Sequence, residues 1–325
     1  MSTLFLGRRD VRGLLDMREV VEAVEQAFRD SVSGNVRMPA KSYLLVEKGD
    51  FRAMPCALPG AAGVKWVNAH PGNPALGLPS VMAILIYNDP ATGYPLAVMD
   101  ATDITAYRTG ATAAIASRYL ARSDSHTLGI VGAGRQACTQ LEAHAAIFDL
   151  GLVRVYDKRE EAVRRFICSF PQYPVRSCSL EETVASDILC TVTPAREPFV
   201  KREWVRPGTH INAVGADAAG KEELEPDVLK QAVVVVDDIE QATSGGEINV
   251  PLRRGLFTIR DVHGTLGEII SGSKPGRTDD RAVTIFDSTG LALEDVAVAR
   301  VVYTKATRRG GYLALDFVEE EPPAR

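Results

Sequence analysis

The sequence predicts an α/β protein in which a doubly wound parallel sheet is joined to an α+β domain. In residues 127–157 an apolar strand, a glycine-containing turn, a helix and a second apolar strand follow one another. Apolar strands then continue to alternate with helical segments, which is typical of a parallel sheet covered by helices on both faces. Before residue 127 several strands follow one another closely, which indicates an antiparallel sheet.

The first region begins with an amphipathic helix. Residues 17–28 place Val20, Val24 and Phe28 on one face at helical spacing. Strands are predicted at residues 42–46, 50–54, 63–67 and 81–88, and turn chemistry at Asp89, Pro90 and Gly93 makes residues 81–98 a hairpin. An alanine-rich helix at residues 105–120 leads into the second region.

The second region continues the alternation of strands and helices. Strands are predicted at residues 127–131, 153–156, 175–178, 188–191, 210–214, 233–237 and 282–287. We expect a helix at residues 291–307 to return to the first region, and the tail at residues 319–325 to be frayed. The predicted domains are therefore residues 1–118 with 300–325, and residues 119–299.

The composition excludes several classes of protein. The 37 basic and 42 acidic residues give a net charge of −5, which argues against a general role at nucleic acids or membrane surfaces. No apolar run reaches the ~18 residues of a membrane helix, and the early charges argue against a signal peptide. The five cysteines are scattered and the five histidines lack ligand spacing, which favours a reduced, cytoplasmic protein without a metal site.

The turn at residues 132–137 fits the dinucleotide-binding pattern G-x-G-x-x-G/A of Rossmann-type domains. Gly132 allows a sharp turn, Gly134 lets the backbone approach a pyrophosphate, and Ala137 lets the helix pack closely on the sheet. The free N–H groups and the dipole of the following helix favour the phosphate anion. Asp157, twenty residues after Ala137, is expected to bind the hydroxyls of the adenosine ribose.

The residues that follow Asp157 bear on the choice of cofactor. Lys158 and Arg159 could hold a 2′-phosphate, which would favour NADP. Asp157 itself would repel that phosphate. The sequence therefore favours NAD, with NADP as the alternative.

Two further turns follow predicted strands of the parallel sheet. The first contains Thr193, and the second contains Val214, Gly215, Ala216 and Asp217. Ligands of open α/β sheets lie beyond the carboxyl ends of the strands, so we expect both turns to border the cofactor. Asp217 could orient or deprotonate a water molecule. Alternatively it could cap its own turn.

Four cations in the first region, Lys41, Arg52, Lys65 and Arg108, are candidates for ligand binding. Lys65 lies in an apolar strand, so it either reaches solvent or is held in a cleft, where burial tunes a lysine for chemistry. Arg52 has apolar neighbours in the same manner. Arg108 lies in a helix of small residues, where its guanidinium would suit a carboxylate or phosphate. For each arginine, a solvated surface charge is the alternative.

Taken together, these positions resemble the ornithine cyclodeaminase/mu-crystallin family. The resemblance covers nearly the whole length. It is carried by MPAKSYL (38–44), FRAMP (51–55), GVKWVNAHPGNP (63–74), LAVMDAT (96–102), YRTGA (107–111), IVGAGRQA (130–137), GTHINAVGAD (208–217), GGEINV (245–250) and IFDSTGLALEDVAVA (285–299). Within the family the chain looks most like the archaeal alanine dehydrogenases.

The resemblance implies a homodimer with substrate and dimer contacts in the first domain and the C-terminal segment, and a Rossmann domain between them. It makes Lys65 catalytic, and it gives Asp217 the activation of water or the transfer of a proton. Arg108 would contact both the cofactor and the substrate carboxylate. The remaining cofactor contacts that it implies are Arg135 and Gln136 at the pyrophosphate, residues 157–159 at the adenosine ribose and Ser288 near the nicotinamide.

The residue type near position 52 differs between members of the family that this chain resembles. Cyclodeaminases place a glutamate near this position, and its charge suits the distal ammonium of ornithine. Arg52 would instead repel that ammonium, at a cost of several kcal/mol. We therefore expect oxidation of L-alanine to pyruvate and ammonia, and the reverse, with Arg52, Lys65 and Arg108 holding the carboxylate and Lys41 assisting. The alternatives are ornithine cyclodeamination, reduction of a cyclic imine such as pyrroline-2-carboxylate, and a non-catalytic mu-crystallin-like protein that binds NAD(P).

Overall fold

The computed structural model describes residues 2–316, so the predicted frayed tail at residues 319–325 lies outside the described residues. The chain forms two compact units. The first unit contains the residues up to Arg108 together with those from Ala292 onward, and the second unit is Thr109–Leu291. The sequence predicts the boundaries at 118/119 and 299/300, whereas the compact units divide at 108/109 and 291/292. The assignment of substrate and cofactor binding to those two ranges stays a prediction.

The described elements are numbered here in chain order. The strands are β1 (Thr3–Leu6), β2 (Ser42–Val46), β3 (Gly49–Leu58), β4 (Ala61–Ala69), β5 (Val81–Asn88), β6 (Pro95–Asp100), β7 (Thr127–Val131), β8 (Leu152–Tyr156), β9 (Val175–Ser177), β10 (Ile188–Thr191), β11 (His210–Ala213), β12 (Ala232–Val236), β13 (Val262–Thr265), β14 (Val283–Asp287) and β15 (Leu313–Leu315). The α-helices are α1 (Arg8–Arg12), α2 (Met17–Val32), α3 (Thr102–Leu120), α4 (Arg135–Ala145), α5 (Glu160–Ser169), α6 (Leu180–Val184), α7 (Pro226–Lys230), α8 (Ile239–Gly245), α9 (Asn249–Arg253), α10 (Leu266–Ser271) and α11 (Ala292–Arg309).

The first unit is built on a seven-stranded sheet in the order β15-β1-β6-β5-β4-β3-β2. Neighbouring strands run antiparallel except β1 and β6, which are parallel. Side chains alternate across the sheet, so Met54, Lys65 and Leu85 are buried at paired positions of β3, β4 and β5. Helix α11 packs against α2, β3 and β4 and closes this buried face.

The second unit contains an eight-stranded parallel sheet in the order β13-β12-β14-β11-β10-β7-β8-β9. Successive residues of a strand enter different hydrophobic clusters. Leu128 and Ile130 belong to the cluster that also contains Leu141, whereas Val131 joins the cluster that contains Ile285. A core on each face is the arrangement of a doubly wound sheet, so the predicted Rossmann-type fold is confirmed.

The predicted elements correspond closely to those observed where hydrophobic periodicity is strong. Strands 42–46, 81–88, 127–131 and 188–191 have the predicted bounds, and the strand predicted at residues 50–54 extends over Gly49–Leu58. The sequence analysis did not predict β1, β13 or β15. These strands have only three or four residues each, too few for an alternating pattern to be recognised.

Candidate functional site

Lys65 lies on the inward face of β4 and is completely buried. The neighbouring Trp66 points to the other face and is 39% exposed, as the alternation of a strand requires. Burial opposes the charged ammonium and lowers the pKa of Lys65 to about 7, although the charge of Asp295 acts in the opposite direction. The Lys65 side chain is therefore enclosed by the protein and does not reach solvent. A lysine with this pKa can hold or release a proton near neutral pH.

The first turn of α11 supplies the counter-charges for two of the predicted cations. Lys65 Nζ lies 2.6 Å from Asp295 Oδ2. Arg108 Nε donates to Asp295 Oδ1 at 3.1 Å, and Arg108 Nη1 donates to Glu294 Oε2 at 2.8 Å. Both carboxylates are fully buried. Lys65 and Arg108 are thus brought together through Asp295, within the first unit.

The contact between Lys65 and Asp295 is a short, fully buried ion pair. Among the described residues, Lys65 Nζ has no hydrogen-bond partner other than this carboxylate. A buried ammonium group has three donors to satisfy. Asp295 therefore stabilises the charge of Lys65 and satisfies one of its donors, and the other N–H groups suit an oxygen atom of a ligand.

Arg52 projects from the same face of the sheet as Lys65. On β3 it pairs with Val67, which is two residues after Lys65 on β4. Its guanidinium donates to Asp50 from Nε at 2.8 Å and from Nη2 at 3.3 Å, and its Cζ lies 5.4 Å from the ring centre of Tyr43. Lys41 is half-buried just before β2. The first unit thus places Arg52 in an ordered, nearly buried position, contrary to the surface alternative.

The glycine turn has the backbone geometry that the sequence motif predicts. Gly132 has φ +102°, a backbone conformation that residues with a side chain rarely adopt. A Cβ on Gly134 would meet no heavy atom within 4 Å, so the backbone borders open space here. Gly134 is also the N-terminal cap of the 11-residue helix α4, whose first residues are Arg135 and Gln136. Open space at the N-terminus of a helix fits a pyrophosphate.

Asp157 follows β8 and contacts the glycine turn. Its Oδ2 accepts the N–H of Ala133 and its Oδ1 accepts the N–H of Arg159, both at 2.9 Å. Partial burial opposes ionisation, but these N–H groups and the Arg159 guanidinium outweigh it and lower the pKa of Asp157. Lys158 and Arg159 are exposed. A carboxylate with a lowered pKa at this position suits ribose hydroxyls better than a 2′-phosphate.

The turns after β10, β11 and β14 lie along the same edge of the parallel sheet. Thr193 follows β10, and Val214, Gly215 and Ala216 follow β11. Ser288 follows β14, and its N–H donates to the carbonyl oxygen of Ala213 at 3.0 Å. Asp217 is partly exposed and forms an ion pair with Lys221. The second unit therefore gathers the predicted cofactor residues at the carboxyl ends of adjacent strands.

Two acids that pair with the buried cations, Glu294 and Asp295, were not predicted from the sequence. The available signal was their position in the segment LALEDVAVA, where adjacent acids interrupt an otherwise apolar helix. Fully buried acids need a charged or hydrogen-bonding partner, and the structure shows that the partners of Glu294 and Asp295 are Arg108 and Lys65.

Within residues 2–316, no group of three or more His, Cys, Asp or Glu side chains is suited to hold a metal ion. In the same part of the chain, no helix is both long enough and apolar enough to cross a membrane.

The fold and the glycine turn define a dinucleotide-binding protein of the Rossmann type. The chain belongs to the ornithine cyclodeaminase/mu-crystallin family, whose profile matches residues 1–310. It is 54% identical over 308 residues to an alanine dehydrogenase of Archaeoglobus fulgidus, covering 94% of this chain and 96% of that protein. The predicted family membership is confirmed.

Solved structures of relatives share the fold over nearly the whole chain. An archaeal alanine dehydrogenase dimer with bound NAD matches with a TM-score of 0.96 and 52% identity, covering 98% of this chain and 100% of that one. A Delta(1)-pyrroline-2-carboxylate reductase of Thermococcus litoralis, in complex with NADH and L-proline, matches with a TM-score of 0.92 and 39% identity. That match covers 94% of this chain and 98% of the reductase.

Proposed function

We propose that this chain is an NAD-dependent alanine dehydrogenase. In this reaction L-alanine, NAD⁺ and water give pyruvate, ammonium, NADH and a proton, and the reverse is reductive amination. The observation that carries the proposal is the buried cluster of Lys65, Arg108 and Asp295. It provides cations for a carboxylate and a lysine whose pKa lies near neutrality. The similarity to archaeal alanine dehydrogenase, in sequence and in structure, supports the same substrate.

The second unit binds the cofactor in this proposal. Gly132, Gly134, Arg135 and Gln136 hold the pyrophosphate, and residues 157–159 surround the adenosine ribose. The nicotinamide half is bordered by Thr193, by Val214 with Gly215 and Ala216, by Ser288 and by Arg108. NAD, when bound, supplies the hydride acceptor. The ionised Asp157 favours NAD over NADP because it would repel a 2′-phosphate.

The protein's own residues bind and orient the substrate and move protons. Arg52, Lys65 and Arg108 hold the substrate carboxylate, and Lys41 assists. Asp217 orients the water molecule that adds to the iminium carbon left after loss of hydride from Cα. Lys65 takes part in the proton transfers that accompany this addition of water. Fixed orientation and charge are the main contributions of a protein to a reaction of this kind.

Arg52 sets the substrate class. A guanidinium attracts the carboxylate of alanine and repels the distal ammonium of ornithine. We expect Arg52→Glu to lower kcat/KM for alanine about a hundredfold or more, since it replaces attraction with repulsion. Steady-state kinetics with alanine measures this. Arg12→Glu, an exposed charge reversal in the same unit, should behave like the wild type. Unchanged kinetics in Arg52→Glu would remove Arg52 from the substrate site.

A homodimer is part of the proposal. The outer face of the first unit's sheet carries exposed apolar side chains, among them Trp66, Ile84 and Ile86. All five residues of the edge strand β2 are exposed, including Leu44 and Leu45. Apolar surface of this extent fits an obligate contact with a second copy. The proposed location is the cytoplasm, which suits the five cysteines, all of them free thiols.

A spectrophotometric screen tests the proposed function. We expect net NADH formation with L-alanine and NAD, weaker activity with NADP, and NADH consumption with pyruvate plus ammonium. Proline formed from ornithine without net NADH would identify a cyclodeaminase. Reduction of pyrroline-2-carboxylate in preference to pyruvate plus ammonium would identify a cyclic imine reductase. Tight NAD(P) binding without turnover of any amino or imino acid would favour the non-catalytic alternative.

A further inference from the structure

Glu223 is a completely buried acid in the second unit, between β11 and α7. Its carboxylate accepts four hydrogen bonds. Oε2 accepts the Thr191 hydroxyl at 2.6 Å and the Gly215 N–H at 2.9 Å. Oε1 accepts the N–H and the hydroxyl of Thr193, at 2.8 and 2.7 Å. Each carboxylate oxygen accepts one backbone N–H, and these contacts favour the ionised form, although burial raises the pKa of Glu223.

These four donors come from two turns that follow adjacent strands. Thr191 ends β10 and Thr193 belongs to the turn after it, whereas Gly215 belongs to the turn after β11. The turns are in close contact. A Cβ on Gly215 would overlap both the Thr193 carbonyl oxygen and the Glu223 carboxylate. Glu223 therefore connects the two turns through hydrogen bonds and fixes the distance between them.

Two more buried acids hold the backbone of Glu223 in place. Glu247 Oε1 accepts the N–H groups of Glu223 and Leu224, at 2.8 and 2.6 Å. Asp287, at the end of β14, accepts the N–H groups of Glu247 and Ile248, at 2.8 and 3.2 Å. These contacts form a continuous series from β14 to the turns after β10 and β11. Glu223 is thus held in place relative to β14 of the sheet.

The strand order places the two turns on the path of a dinucleotide. Asp157 follows β8 and the glycine turn follows β7, and β10 and β11 are the next strands in the sheet. A dinucleotide with its adenosine ribose at β8 and its pyrophosphate at β7 continues over β10 and β11 with its nicotinamide half. We propose that Glu223 is a positioning residue that sets the turns at Thr193 and Gly215 for the nicotinamide half of NAD. This inference rests on the proposed use of NAD.

Glu223→Gln tests the inference because it keeps the side-chain size. Whichever way the new amide is turned, its NH₂ group meets one backbone N–H, that of Thr193 or that of Gly215. One turn must then move. We expect the Kd for NAD to rise about tenfold to a hundredfold, as for lost hydrogen bonds to a charged group. The Kd for 5′-AMP, which contacts only the β7 and β8 side, should change less than about twofold.

Glu225→Gln is the matched control, since Glu225 lies two residues away and accepts the Arg202 N–H at 3.1 Å. It should bind both ligands as the wild type does. Equal weakening of NAD and 5′-AMP by Glu223→Gln would show a merely structural role, and unchanged NAD binding would also overturn the inference. If Glu223→Gln does not fold, Thr191→Val removes one donor and should weaken NAD alone, by less.

The proposed function and this inference fail in different ways. Both ligands are measured by equilibrium binding, which needs no amino-acid substrate. A wild type that binds NAD but oxidises no alanine contradicts the proposed function, while the comparison of NAD with 5′-AMP still decides the role of Glu223. Alanine turnover together with normal NAD binding in Glu223→Gln contradicts only the inference.

Discussion

Lys65→Met should lose most alanine turnover and still bind NAD. Lys65 is fully buried with a pKa of about 7, and its N–H groups have no hydrogen-bond partner other than Asp295 among the described residues. Removal of a general acid–base group typically lowers kcat by about 10²- to 10⁴-fold. Methionine has a similar length and is apolar, so it should fill the space of the lysine side chain. The kcat for alanine and the Kd for NAD measure the two expected effects.

Lys305→Met is the control for this substitution. Lys305 lies on α11 in the same unit and also forms an ion pair, with Glu19 at 2.6 Å, but it is partly exposed. The control should turn over alanine at close to the wild-type rate. If Lys65→Met kept wild-type turnover, Lys65 would have no part in the chemistry. If it lost NAD binding as well, the loss of turnover would say nothing about proton transfer.

Asp295→Asn should reduce both stability and activity. The substitution removes the charge that faces Lys65 and Arg108 in a fully buried cluster. Breaking a buried ion pair by neutralising one partner typically costs about 3–5 kcal/mol in the free energy of unfolding. The cluster then contains two cations and only Glu294 to balance them. Urea or thermal unfolding measures the loss of stability.

The same variant should shift the pH dependence of alanine oxidation. The negative charge of Asp295 raises the pKa of Lys65, in opposition to burial. Without that charge the pKa of Lys65 falls below about 7, so the limb of the kcat profile that reports Lys65 should move to lower pH. A limb that stays in place would show that a different group titrates. This readout separates a change at Lys65 from a general loss of folded protein.

Glu19→Gln provides the matched control for Asp295→Asn. It also removes a carboxylate that faces a lysine of α11, but at the partly exposed pair with Lys305. An exposed ion pair contributes about 0–1 kcal/mol, so the free energy of unfolding should change little. The pH profile should not move. Equal destabilisation in both variants would contradict the special role of the buried cluster.

Local signals explain why much of the fold could be predicted. The glycine turn lies between an apolar strand and a helix, and its geometry follows from the absence of side chains at Gly132 and Gly134. Asp157 could be located because the length of one strand–helix–strand unit fixes its distance from the turn. Lys65 was recognisable as an interruption of an apolar strand. Each of these signals lies within about thirty residues of the site that it predicts.

Contacts between distant parts of the chain could not be predicted in this way. Arg108 and Asp295 are separated by 187 positions, and no local pattern in either segment names the other. The carboxylates of Glu223, Glu247 and Asp287 bind backbone N–H groups, which every residue type except proline carries. Nothing in the sequence distinguishes those N–H groups from others.

By itself, the sequence determined the alternation of the longer strands with helices, the dinucleotide turn and the cations available for a carboxylate, because these depend on periodicity, backbone freedom and residue type. Only the tertiary structure decided which acids face Lys65 and Arg108, and that Glu223 joins the turns after β10 and β11. Those pairings depend on distances that arise when α11 packs on β4 and when the parallel strands align. Burial then gives the pairings their strength, because charges removed from water must be balanced by whatever group folding brings near.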